Sequence, residues 1–144
     1  MNRSTVEELT WFLLRVVSGF LIWQTGAVIL FNWFGGMPPG QPLRLWSQTG
    51  IGGILEFAGG TLIIVGLFTR PAAFILSGTM AVAYWQFHFP HGRWPLQNQG
   101  MPAVLLCFIF LCVAAKGAGE WSLDAWLRKR RSGTRAAQAD AGSA

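Results

Sequence analysis

Charge is scarce in this chain. Lys, Arg, Asp and Glu make up 12% of its 144 residues, while 52% are hydrophobic. A soluble domain carries about a quarter charged residues, so the balance excludes an ordinary water-facing surface. Cysteine is scarcer still. Cys107 and Cys112 are the only two, and both stand in one apolar run. Five positions apart on a helix, they point in different directions and cannot bridge each other, which excludes a disulfide-stapled scaffold. No CxxC, no haem-attachment CxxCH, no P-loop and no nucleophile elbow occurs. The two histidines, His88 and His91, flank Pro90, which breaks a helix and leaves them no fixed spacing for a metal. No metal-ligand set is assigned; a role at a wet mouth suits His88 better.

What remains is apolar sequence in four blocks, roughly residues 9–34, 50–68, 71–89 and 101–118. Each is near the ~20 residues that a helix needs to cross the hydrocarbon core. The connections, 35–49, Thr69-Arg70 and 90–100, hold Gly, Pro or polar residues. Short connections make neighbouring helices antiparallel. The expected fold is therefore all-α: a transmembrane four-helix bundle, up-down-up-down, forming one membrane domain over residues 1–131. The first block is too long for a signal peptide and lacks a small-x-small site after it, so it reads as a retained anchor.

The net charge of +5 is unevenly placed. Arg128, Lys129, Arg130, Arg131 and Arg135 crowd the C-terminal region, and Arg3, Arg70 and Lys116 fall on the same side of the expected bundle. Only Arg44 and Arg93 fall on the other side. The positive-inside rule then predicts an inner-membrane protein with both termini cytoplasmic. Trp11, Trp121 and Trp126 at the inner boundary and Trp33, Trp46, Trp85 and Trp94 near the outer one suit that placement. Residues 122–131 predict a short amphipathic helix on the cytoplasmic surface, with Ser122 as N-cap and Trp126, Arg128, Lys129, Arg130 and Arg131 facing anionic lipid. No nucleic-acid recognition motif accompanies the basic cluster, so nucleic acid is not an expected partner. The small polar residues 132–144 predict a disordered tail. Small residues predict the helix contacts: Ala73, Ser77 and Ala81 in the third block, and Gly52, Gly53, Gly59, Gly60 and Gly66 in the second.

Glu56 is the sole charge within 50–68. A charge at membrane depth costs several kcal/mol, so such residues usually face a bundle interior or polar cavity. Six residues from Gly50, it lies about 9 Å below the outer end of its block. Gln24 lies at a similar level, Gln86 and His88 occupy the outer part of the third block, and Asn98 and Gln99 precede the fourth. These residues predict one polar layer near the outer face. Two readings of it stand open. Gln24, Glu56 and Gln86 satisfy one another and lock the bundle, or Glu56, Gln24, Gln86, His88 and Asn98 line a pocket for a small polar or quinone-like ligand. Arg15, the other intramembrane charge, lies about 12 Å from the level of Glu56. Its side chain leans toward the helix N-terminus, so snorkelling to the inner headgroups is expected over a pair with Glu56.

The pattern resembles the DoxX family of small four-span membrane proteins. The resembling residues are Arg15-x-x-x-Gly19, Gly52-Gly53-x-x-Glu56-x-x-Gly59-Gly60-x-Leu62, Gly66-Leu67-Phe68-Thr69-Arg70-x-Ala72-Ala73 and Gly117-x-Gly119-x-x-Ser122-Leu123-Asp124. They run through most of the chain. Asn98-Gln99-Gly100 departs from an acidic stretch that members often show there. The resemblance implies an accessory membrane subunit of a quinone- or thiol-linked redox system, similar to the membrane subunit of a thiosulfate:quinone oxidoreductase. No cofactor is evident in the residues themselves, and a quinone is the one the resemblance allows; the expected partners are membrane lipids, a redox protein and a second copy of the chain. The resemblance names no catalytic residue. A small transporter or lipid-handling protein, and a scaffold without ligand, are the rival expectations; the lack of an evident inverted repeat weakens the transporter.

Overall fold

Glycine sets the tightest helix contact in the molecule. The computed structural model describes residues 3–36 and 44–141, with side chains through residue 132. Five α-helices and no strand occur among the described residues: α1 (Arg3–Phe31), α2 (Gln48–Val65), α3 (Thr69–Ala83), α4 (Met101–Lys116) and α5 (Leu123–Ala141). A π-helical turn (Tyr84–His88) and a 3-10 turn (Phe89–His91) continue α3. By length and composition, α1 and α2 could each cross a membrane. Of the connection expected at 35–49, residues 37–43 lie outside the described ones.

Gly26 of α1 lies against α2 so closely that a Cβ there would sit 2.4 Å from Phe57 N and 2.8 Å from Gly53 O. One helical stripe away, a Cβ on Gly60 would sit 2.9 Å from Gly19 O. Glycines seven apart on both helices thus bring backbone against backbone. Gly59 instead faces Leu76 of α3, and Gly52 faces open space, so the second block's glycines divide among three tasks. We predict that Gly26→Ala forces α1 and α2 apart and lowers stability by about 1–3 kcal/mol, the usual range for overpacking. Thermal unfolding in detergent checks this, with Gly52→Ala as the variant that lowers nothing.

Helix α3 packs on α4, where buried Ser77 donates to Cys107 O at 2.8 Å. The buried core is Ile22, Ile63, Ala73, Leu76, Phe110 and Val113 with their neighbours. Large apolar side chains otherwise point outward, Phe74, Leu105 and Phe108 each more than 60% exposed. Small residues inside and large apolar ones outside is the arrangement that lipid, not water, favours.

At the α2–α3 turn, Arg15 is fully buried. Nη1 donates to Ile64 O at 2.8 Å and also to Ile63 O, and Nη2 donates to Trp121 O at 2.8 Å. The expected snorkelling to the headgroups is therefore corrected. Carbonyls at the end of α2 run out of regular helical partners and hold partial negative charge, which a guanidinium satisfies. Ile63 O also accepts a capping bond from Gly66 N at 3.2 Å. The matching device at the start of α3 is Asp124. Its carboxylate accepts from Phe68 N and Thr69 N, each at 3.0 Å. Gly66, at φ 71°, turns the chain between the two ends, and a Cβ there would meet Ser122 Cβ at 2.6 Å. The Gly117 to Asp124 segment is thus a clasp on the α2–α3 turn.

Ser122 caps α5 as expected, accepting from Ala125 N at 3.2 Å. Along α5, Arg130 lies over the Trp126 ring at 4.2 Å, and Lys129 pairs with Glu120 at 3.0 Å. The helix does not stop at residue 131 but runs to Ala141, where a disordered tail is expected from composition. Ala136, Ala137 and Ala139 favour helix intrinsically, and a formed helix N-terminal to them supplies the nucleus.

Candidate functional site

Glu56 lies on the face of α2 that turns inward, 5% exposed. Its Oε2 receives no hydrogen bond from any described residue. Beside it is a cavity of about 250 Å³. Its polar wall is Thr25 of α1, Gln48, Thr49 and Glu56 of α2, Thr79 of α3 and His88 of the π-turn. Ile29, Val82, Ala83 and Phe87 supply the apolar wall. No lysine or arginine among the described residues borders it. Gly52 also borders it, and a Cβ on Gly52 would meet nothing within 4 Å. The missing side chain leaves part of the space.

Local chemistry places each group. Ser47 starts α2 by accepting from Gly50 N at 3.1 Å, which makes Gln48 and Thr49 helical and turns them toward the cavity mouth. Thr25 and Thr79 donate to carbonyls of their own helices, Leu21 O at 3.3 Å and Ile75 O at 3.0 Å. Their hydroxyl protons are committed to their own helices, so these groups can serve a ligand only as acceptors.

The π-turn decides which residue of the third block enters. Pro90 has no N–H, and its ring opposes the carbonyl four residues earlier, so a regular helix cannot pass through it. The chain answers by widening: Phe89 N bonds Tyr84 O, five residues back. An unbroken α-helix would align Thr79, Ala83 and Gln86 on one stripe. The extra residue turns everything after it by about 100° and brings Phe87 and His88 inward. His88 Nδ1 lies 3.1 Å from Asn98 O. A carbonyl only accepts, so Nδ1 donates, and Nε2 is the acceptor of the neutral ring.

The expected polar layer is thus partly assembled. Glu56 and His88 share the cavity. Gln24 does not border it; its neighbour Thr25 does. Gln86 is exposed and its Oε1 accepts from Gln48 Nε2, tying the π-turn to the start of α2. Asn98 is buried and fully engaged: Nδ2 donates to Gly92 O at 2.8 Å and Oδ1 accepts from Gly100 N at 2.8 Å. It shapes the loop that positions His88. Mutual satisfaction of Gln24, Glu56 and Gln86 is not what the structure has, because Glu56 Oε2 has no partner and Gln86 binds Gln48. Sequence reading missed Thr25, Gln48, Thr49, Thr79 and the role of Gly52. The one available signal was Ser47 as an N-cap, which would have put Gln48 on the helix.

Comparison with known proteins gives three findings. Residues 10–89, more than half of the chain, match the family described as DoxX. An uncharacterised protein of Haemophilus influenzae is 42% identical over 89 residues, which cover 59% of this chain and 62% of that protein. No solved structure matches.

Proposed function

Because this chain belongs to the DoxX family, and so is a membrane protein, we propose that it is an accessory membrane subunit of a quinone- or thiol-linked redox system that binds a hydrogen-bonding head group in the Glu56 cavity. The observation that carries this reading is a buried carboxyl group with an unpartnered oxygen, facing the same space as an imidazole. A buried polar atom without a partner costs about 1–3 kcal/mol, so a ligand that supplies the missing bond gains it back. Glu56 and the His88 imidazole together offer what a quinone or quinol head needs, sites that exchange hydrogen bonds and protons at its oxygens. When bound, a quinone supplies the two-electron chemistry. The chain's own residues hold the head, orient it and exclude water from one side.

In the same reading α1, α2, α3 with its π and 3-10 turns, and α4 are four membrane spans, in the inner membrane. The helical path from Thr69 to His91 is continuous, which supports a full third crossing. Arg3, Arg70, Lys116 and α5 belong to the cytoplasmic side, with the Glu56 cavity toward the outer leaflet. The outward Trp126 and the basic residues of α5 suit an anionic membrane surface.

Glu56→Gln keeps the shape and removes the acidic group. The expected result is a loss of about ten- to a hundredfold in affinity for a short-tailed hydroquinone, the worth of one hydrogen bond to a charged group. The thermal midpoint stays level or rises. Titration of the protein in nanodiscs measures both, and unchanged affinity in the Gln variant contradicts the proposal.

A further inference from the structure

Helices α1 and α4 leave a groove of about 580 Å³ between them. Leu14, Val17 and Leu21 of α1 face Leu105, Leu106 and Ile109 of α4 across it. Its hydroxyls are turned back onto their own helix: Thr10 to Val6 O, Ser18 to Arg15 O and Thr25 to Leu21 O. The groove therefore presents apolar surface and no free donor from these groups. Thr25 borders both the groove and the Glu56 cavity. The stripe Ser18, Leu21, Thr25, Ile29 follows helical spacing up α1, its lower part in the groove and its upper part in the cavity. One molecule spanning both spaces would be polar at the Glu56 end and apolar along the rest.

We propose that the ligand of the Glu56 cavity is a neutral amphiphile whose head lies between Glu56 and His88 and whose apolar chain lies in the α1–α4 groove. This rests on the reading of Glu56 as a ligand site. Two observations define the chemical class. Among the described residues the cavity's border has a carboxyl group and no lysine or arginine, so an anionic head would find no counter-charge there in a space of low polarity. The head is therefore not anionic, and the uncharged hydroquinone type that the proposed function calls for offers at least one O–H to the Nε2 of His88 or to Glu56. The groove opens sideways between two helices, so the ligand reaches the cavity from the hydrocarbon and not from water. Water-soluble anions are then not the molecules bound here.

The test uses a long-chain hydroquinone with a diazirine near the far end of its chain, added to the full protein in phosphatidylcholine nanodiscs and photolysed. Adducts are mapped by mass spectrometry in the wild type, in Leu105→Trp and in Glu56→Gln. Leu105 is 62% exposed, so the larger ring fills the groove without displacing the core. Expected are adducts on the facing α1 and α4 residues at least about tenfold above other lipid-facing positions. They fall to background in Leu105→Trp. An unlabelled neutral hydroquinone of the same chain length competes; a long-chain sulfate does not. Adducts that depend on Glu56 but lie on other faces, and ignore Leu105→Trp, would overturn the groove while leaving the head site standing. Competition by the sulfate equal to that by the neutral probe would overturn the neutral class. Labelling spread evenly over all faces and indifferent to Glu56→Gln would overturn both the groove and the ligand site. Loss of the adducts with appearance of cross-linked dimers through α4 would make a second copy the occupant, and also overturns the proposal.

Discussion

Arg15→Met should lower stability by about 2–4 kcal/mol, from the 1–3 kcal/mol attached to each buried acceptor left without a donor. Methionine fills most of the same volume, so packing loss is minor and the measurement isolates the hydrogen bonds. Two carbonyls lose the Arg15 donor with no backbone bond recorded in its place, Ile64 O at the end of α2 and Trp121 O in the segment leading to α5, while Ile63 O keeps its capping bond from Gly66 N at 3.2 Å. The return of a buried charge to nonexistence offsets part of the cost, which keeps the expected figure below the simple sum. Arg15→Lys should fall between. One ammonium group cannot hold the α2 carbonyls and Trp121 O with the fork geometry of a guanidinium. Because Asp124 secures the same turn through Phe68 N and Thr69 N, Arg15→Met and Asp124→Asn should be non-additive by about 0.5–3 kcal/mol. Amides from residue 121 to 127 should exchange faster in the single variant. A change within about 0.5 kcal/mol, the range of ordinary surface substitutions, would show that the clasp is not a stabilising device.

The second large effect is expected at Gly52. Its Cβ position is open space on the cavity border. Gly52→Leu places a branched side chain into a cavity of about 250 Å³ without a clash in the helix itself. Two consequences follow in opposite directions. Replacing glycine within a helix recovers up to about 1 kcal/mol of helix propensity, so the thermal midpoint holds or rises. Ligand binding should fall at least about a hundredfold, equivalent to about 2.7 kcal/mol. Gly52→Ala is the graded control, with a smaller loss. Binding that survives Gly52→Leu unchanged would place the ligand elsewhere. The contrast with Gly26 sharpens the test: the same type of substitution disrupts the fold at one glycine and the cavity at the other.

Much of the fold is legible in the sequence because lipid-compatible packing is written in residue size. The apolar blocks give α2 and α4 within a few residues and the body of α1, which begins six residues before its block. Gly53 and Gly60 mark the α2 side of the α1–α2 contact, while Gly19 and Gly26 take their part in it only in the structure. Glu56 and His88 stand out because a carboxyl group and an imidazole are rare in such surroundings. The rest of the site hides for identifiable reasons. Thr25 and Thr79 are neutral and bonded to their own helices, so they read like any threonine in an apolar helix. Gln86, expected beside His88 in the pocket, falls outside it because the π-turn before Pro90 shifts the helical phase, and a phase shift of one residue has no letter of its own. Arg15 misleads because its partners are backbone carbonyls, which every residue possesses. The residues that carry the family resemblance in the sequence thus serve two ends of the molecule. Arg15, Gly66 and Asp124 build the clasp, and Gly52 and Glu56 border the cavity.

The central claim is that a bound head group touches Glu56. Infrared difference spectroscopy on adding a short-tailed hydroquinone to the protein in nanodiscs tests it directly. The prediction is a shifted carboxyl or carboxylate band that disappears in Glu56→Gln and remains in Arg15→Lys. Binding at full affinity with no change in any band assignable to Glu56 would contradict it.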